Sequence, residues 1–75
     1  NVEVFPNPSY GVITVSFDEN FKYIEVYNIL GSLIHSEKTN SPNEVELNLS
    51  HLRSGIYHLV LTSEDLVLNQ KIIIE

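Results

Sequence analysis

Histidines are the side chains through which this 75-residue sequence could most readily do chemistry. His35, His51 and His58 are candidates for metal binding, but histidine pairs that bind zinc usually stand about three to five residues apart. No two of these histidines have that spacing, and the chain contains no cysteine to complete a ligand set. The spacing therefore predicts no metal site, although the fold could still bring separate histidines together.

Acidic pairs are the other candidates for chemistry. Asp18-Glu19 and Glu64-Asp65 both stand in polar stretches that are typical of turns, and neither has the spacing of a calcium-binding loop. Catalytic carboxylates need a cleft that shifts their pKa values, and so short a chain can form little concavity. The motifs of serine hydrolases, nucleotide-binding loops and zinc proteases do not occur. The sequence predicts no enzyme, no catalytic residue and no cofactor.

The net charge of −6 further limits the partners. The basic residues are scattered rather than clustered: Lys22, Lys38, Arg53 and Lys71. An acidic surface repels phosphate backbones, so nucleic acid is not expected to bind. The sequence also lacks a run of about 18 apolar residues, and so predicts no membrane insertion.

Short runs of β-branched and aromatic residues, separated by polar turns, predict seven strands. The runs are Val2–Phe5, Val12–Phe17, Tyr23–Leu30, Ser32–Lys38, Glu44–Leu49, Ile56–Ser63 and Leu66–Ile74. Leu30-Gly31 reads as the tip of a hairpin, and Leu49–Arg53 is long enough for a single helical turn. Because no helix is available to cover a sheet, two sheets must cover each other. The prediction is one domain, residues 1–75, folded as an immunoglobulin-like antiparallel β-sandwich.

Alternation along the strands predicts which side chains form the core. The expected core residues are Ile13, Val15, Phe17, Ile24, Val26, Val45, Leu47, Leu49, Tyr57, Leu59 and Leu61. Three consecutive isoleucines, Ile72 to Ile74, leave the buried face of the last strand open. The stretch "LRSGIY" predicts a tyrosine corner, in which the Tyr57 hydroxyl bonds to backbone near Leu52. The alternative is that Tyr57 is simply a core aromatic.

Three stretches, in order, resemble the C-terminal sorting domains of type IX secretion cargo, type A. They are "VFPNPSYGVITV" at Val4 to Val15, "IEVYNILGSLI" at Ile24 to Ile34, and "LNLSHLRSGIYHLVLTS" continuing to "KIIIE" at Glu75. The family pattern reads roughly Y-P-N-P-x-x-G, then I-Y-D-x-x-G-x-x-V, then L-x-x-G-x-Y and a short basic tail. The resemblance covers essentially the whole chain, and its strength lies in the ordered set.

The resemblance assigns motif positions residue by residue. The matching residues are Pro6, Asn7, Pro8, Gly11, Val26, Tyr27, Asn28, Gly31, Leu52, Gly55, Tyr57 and Lys71. Phe5 stands where the family commonly has tyrosine. The final stretch departs from the pattern, because it ends in Glu75 and carries a single lysine.

The resemblance implies a transport function in a Gram-negative bacterium. Such a domain would carry an N-terminal cargo through the periplasm and the type IX outer-membrane translocon to the cell surface or the medium. A shuttle protein and a sortase would be its further partners, and the sortase would cut near Asn1. The start at Asn1 rather than methionine fits a fragment of a longer secreted protein.

Two alternatives are a structural spacer and a carbohydrate-binding module of a surface protein. A carbohydrate module would need exposed aromatics along one face, for which Tyr10, Tyr23 and Tyr27 are the candidates. For the sorting domain, we expect recognition at the last strand, Leu66 to Glu75. An edge strand there would present unpaired backbone groups that a partner can extend, with Lys71 adding a positive charge.

Overall fold

A computed structural model of the chain describes residues 2–18, 20–39 and 43–75. These residues form seven β-strands: β1 (Val2–Phe5), β2 (Val12–Phe17), β3 (Tyr23–Tyr27), β4 (Leu33–Lys38), β5 (Glu44–Asn48), β6 (Gly55–Thr62) and β7 (Val67–Ile74). The predicted strands are confirmed, with one clear difference in length. The third was expected to reach Leu30, but β3 ends at Tyr27 because the next residues form the hairpin turn.

The strands of the described residues pair into two antiparallel sheets. One sheet has the order β1-β2-β5, and the other has the order β4-β3-β6-β7. The connections β2–β3, β4–β5 and β5–β6 cross from one sheet to the other. The predicted antiparallel β-sandwich is therefore confirmed, and each sheet buries its apolar face against the other.

The core contains the predicted side chains and three that were not predicted. Its buried residues are Ile13, Val15, Phe17, Phe21, Ile24, Val26, Leu47, Leu49, Tyr57, Leu59, Leu61, Ile72 and Ile74. Val45 is the exception among the predicted residues, because it is only partly buried. Phe21 lies between strands, where alternation gives no signal, and packs edge-to-face on Phe17 with ring centroids 5.6 Å apart.

The antiparallel registers bring every sequence motif to one end of the sandwich. β1, β3, β5 and β7 run toward this end, and β2, β4 and β6 run away from it. We call it the loop end and define it by residues 6–11, 28–32, 49–54 and 75. The described residues include no helix with the length and apolar character needed to cross a bilayer.

Candidate recognition site at the loop end

The first motif forms a connection that lies along the outer edge of β7. Ser9 N donates to Ile73 O at 2.9 Å, and Glu75 N donates to Ser9 O at 2.7 Å. The Asn7 amide lies beside the same edge, where it bonds to Lys71 and Ile73. These bonds correct the expectation that the last strand presents unpaired groups along its whole length. From the Lys71 carbonyl to the Glu75 N–H, the outward backbone groups are already paired within the chain.

Gly11 ends this connection immediately before β2. Its φ is +126°, a conformation that favours glycine, and a Cβ atom there would lie 2.5 Å from the Cα of Ser50. Gly11 O also accepts a hydrogen bond from Leu49 N at 2.6 Å. Glycine at this position therefore lets the first motif pack directly against the connection between β5 and β6.

Asn28 organises the hairpin turn between β3 and β4. Its Oδ1 accepts hydrogen bonds from Leu30 N at 2.9 Å and from Ser32 N at 3.0 Å. Gly31 has a φ of +85°, with no other atom within 4 Å of the place where a Cβ would stand. The predicted hairpin tip is confirmed, and the second motif supplies both its hydrogen-bond acceptor and its left-handed residue.

Tyr27 and Gly55 occupy the strands next to this turn. Tyr27 Oη donates to Glu25 Oε1 at 3.1 Å, and this hydrogen bond raises the pKa of the Tyr27 hydroxyl. Gly55 begins β6 and pairs with Ile74 of β7. These two motif residues therefore belong to the four-stranded sheet that supports the turn.

The third motif forms the predicted tyrosine corner. Tyr57 is buried, and its hydroxyl donates to the backbone oxygen of Arg53 at 2.7 Å. Leu52 packs against the core, and its N–H donates to Leu49 O at 3.0 Å, which closes a single turn rather than a helix. The corner thus ties the β5–β6 connection to β6, as in other immunoglobulin-like sandwiches.

Exposed apolar side chains concentrate at this end of the molecule. Among the described residues they include Phe5, Tyr10, Val12, Ile29, Leu30, Leu33 and Ile56, all in or next to the loop end. Ile29 and Leu30 are 71% and 86% exposed, because the Asn28 turn points them away from both sheets. Sequence reasoning placed Ile29 in a strand and Leu30 at the junction of that strand with the hairpin tip, and it did not predict that both side chains are exposed. The signal that could have found them is the turn pair Asn28 and Gly31 on either side.

An open groove of about 340 Å³ lies between the hairpin turn and the start of β6. Ile29, Ile56 and Arg53 are among the residues that line it. The loop-end connections carry one formally charged side chain before Glu75, which is Arg53. Acidic side chains instead occupy the opposite end, where Lys22 forms a salt bridge with Glu64. The two ends of the sandwich therefore differ in polarity.

The residues considered for chemistry do not converge on a site. His35 Nε2 hydrogen-bonds Glu37 Oε1 at 2.8 Å on the same strand, while His51 lies in the β5–β6 connection and His58 lies on β6. Within residues 2–18, 20–39 and 43–75, no three His, Cys, Asp or Glu side chains gather as a metal ion requires. Tyr23 and Tyr27 share the outer face of β3, whereas Tyr10 lies in the first connection.

The fold and the loop end place the protein in the class of small immunoglobulin-like modules. Its distinctive residues build the connections between strands rather than a catalytic cleft. The family described as "Secretion system C-terminal sorting domain" matches residues 3–75 of the chain. The chain belongs to this family, and it is a C-terminal sorting signal for type IX secretion. A sorting domain of this kind is not catalytic, and it directs export to the cell surface or the extracellular space.

The chain is also similar to part of a curated protein. The chain is 32% identical over 66 residues to the ulvan lyase NLR42 of Nonlabens ulvanivorans. The match covers 87% of this chain but 12% of that protein. The similarity therefore concerns a small region of a much longer enzyme.

Proposed function

We propose that this domain carries an N-terminal cargo of the same polypeptide through the periplasm to the type IX translocon, which recognises the loop end. A shuttle protein and a surface sortase are its further partners, and the sortase removes the domain by a cut close to Asn1. The observation that carries the proposal is the convergence of the three motifs at one end of the sandwich.

The motif residues divide into two groups by what their side chains contact. Asn7, Gly11, Asn28, Gly31, Leu52, Gly55 and Tyr57 build the connections through hydrogen bonds, backbone conformation or burial. Of the remaining motif residues, Pro6, Pro8 and Lys71 are exposed, Tyr27 is partly buried and Val26 is in the core. Within the first group, Asn28 and Gly31 shape the turn that holds Ile29 and Leu30 outward, and these two side chains supply the apolar area that a partner buries.

The distribution of apolar and charged side chains also favours the loop end, rather than the opposite end, as the surface that the partner binds. Exposed apolar side chains surrounded by few charges are typical of the centre of a protein–protein interface. Arg53, at the groove beside Ile29, is a residue type enriched in such interfaces and can pair with a carboxylate. The acidic opposite end keeps the domain soluble and oriented away from the partner.

The test is export of a reporter fused to the amino end of this chain in a bacterium with a type IX system. We expect the double change Ile29→Ser and Leu30→Ser to lower surface reporter about tenfold, which corresponds to about 1.4 kcal/mol of lost binding. The matched control is Tyr23→Ser with Leu66→Ser, two exposed residues at the opposite end.

Urea unfolding of the isolated variants checks that neither pair of changes alters stability. Full surface yield from the loop-end variant would show that the translocon recognises another surface.

Mass spectrometry of the exported reporter tests the cleavage separately. A reporter that retains the whole domain would contradict removal by a sortase but would not contradict export.

A further inference from the structure

The outer edge of β7 is closed along half of its length by the first motif. β7 is the last strand of its sheet, so one of its edges has no neighbouring strand among the described residues. Ser9 takes that place at the carboxyl half through a parallel bridge to Ile74. Pro6 and Pro8 carry no backbone N–H, so this segment cannot continue a regular ladder.

The Asn7 side chain completes this closure. Its Nδ2 donates to Lys71 O at 3.1 Å, and its Oδ1 accepts from Ile73 N at 3.0 Å. A primary amide can present one of its two N–H groups and its carbonyl oxygen to a strand edge, much as peptide groups do. The side chain therefore pairs with β7 in place of a strand residue, at the position where the two prolines prevent the backbone from doing so.

The two halves of this closure are held with different strength. Ser9 is 2% exposed, and its Oγ accepts a hydrogen bond from Gly11 N at 2.8 Å. Pro6, Asn7 and Pro8 are exposed, and the bonds from Asn7 lie at the surface. The segment is anchored at Ser9 and can detach at Asn7, because exposed hydrogen bonds open at little cost.

The rest of the edge is open and chemically distinct. Residues 67–70 precede the closed part, and Val67 is 58% exposed. Lys71 stands at the boundary between the open and the closed part, with its side chain exposed in an otherwise acidic domain. A strand added here would place an apolar side chain near Val67 and a carboxylate near Lys71.

We propose that the outer edge of β7 binds an extended, acidic strand of a partner protein, and that Pro6 to Pro8, which Ser9 anchors, form a detachable cover that limits this binding. The cover protects the edge from unwanted pairing while the domain is free. When the segment detaches at Asn7, the open edge extends beyond residues 67–70 as far as Ile73. This proposal concerns strand pairing, so it stands whether or not the apolar loops are the surface that the translocon reads.

Amide hydrogen exchange measured by NMR on the 75-residue chain tests whether the cover detaches. We expect the Ile73 amide to exchange through a local opening that urea hardly accelerates, and Asn7→Ala to speed this exchange about tenfold. Asn7→Asp retains the acceptor for Ile73 N and should have a smaller effect. The amides of Ile24 and Leu59 should not change in either variant.

Asn20→Ala, an exposed asparagine at the opposite end, is the matched control and should leave Ile73 unchanged. Exchange of the Ile73 amide at the same rate and with the same urea dependence as Leu59 would overturn the proposal, because the segment would then open only when the whole domain unfolds.

Binding of a short peptide of alternating threonine and valine, with one central glutamate, tests the partner. We expect it to bind the Asn7→Ala chain about tenfold more tightly than the unchanged chain. Binding should change the NMR chemical shifts of amides along β7. The same peptide with lysine for glutamate should bind less tightly, and Lys71→Glu should reverse that order. Equal binding to both chains, or shift changes confined to β1, β4 or β5, would contradict the proposal.

Discussion

Two asparagine side chains do at the loop end what backbone groups do elsewhere in the sandwich. Asn28 accepts two backbone N–H groups inside the hairpin turn, and Asn7 both donates to and accepts from β7. In each case the amide satisfies backbone groups at a place where the chain changes direction and no strand can reach. The motif residues are therefore needed first for the shape of the loop end.

Substitutions of Tyr57 give the most direct test of what a single motif residue contributes to stability. We expect Tyr57→Phe to lower the free energy of unfolding by about 0.5–1.5 kcal/mol, because it removes only the hydrogen bond to Arg53 O. Tyr57→Ala also leaves a cavity in the core, and should cost about 3–5 kcal/mol. Urea titrations give both values, and equal small losses would mean that the ring contributes little to the core.

β7 shows most clearly how a secondary-structure element acquires its role from its neighbours. One face of the strand buries Ile72 and Ile74, while Ile73 points to the other face and is only partly buried. Its inner edge pairs with β6, and its outer edge meets Pro6 to Ser9. A single strand therefore contributes to the core, to the sheet and to the closure of an edge.

The two faces of β7 predict different effects for the same substitution. We expect Ile72→Ala to lower the free energy of unfolding by about 2–5 kcal/mol, because that side chain is fully buried. Ile73→Ala should cost about 1 kcal/mol, since less apolar area leaves contact. Urea unfolding distinguishes them, and a larger loss for Ile73 than for Ile72 would contradict the assignment of faces.

At the scale of the whole molecule, the carboxyl-terminal strand cannot be removed without losing the fold. Deleting residues 71–75 takes away Ile72 and Ile74, two members of a core shared by both sheets. Small domains have about 5–15 kcal/mol of stability in total, and two buried isoleucines account for a large part of that. Loss of export after such a deletion would therefore report on folding as well as recognition.

We expect the deletion of residues 71–75 to unfold the isolated domain, as seen by loss of near-UV circular dichroism and of dispersed amide signals. Lys71→Glu should leave the same signals unchanged, because the Lys71 side chain is exposed. A truncated domain that remained folded would show that β7 is dispensable to the core. Of these two variants, only Lys71→Glu is suited to testing, with a fusion reporter, whether this segment is recognised.

Sequence reasoning predicted much of this molecule from local patterns. Alternating side chains located the strands and most of the core, and the ordered motifs identified the family, because both kinds of signal lie in neighbouring residues. It extended the third strand through Ile29 to Leu30 at the hairpin tip, since apolar residues in a turn look like a strand that continues. It also left the buried face of Ile72 to Ile74 undecided, because three identical residues carry no alternation.

The sequence by itself determined the class of fold and the hairpin tip and favoured the tyrosine corner, since each depends on residues close together along the chain. Only the tertiary structure decided that the first motif covers the edge of β7, because Asn7 and Ile73 lie 66 residues apart. It also decided that the three motifs share one end and that the acidic connections share the other. Antiparallel pairing of successive strands sends alternate connections to opposite ends, and no local pattern records which connections meet there.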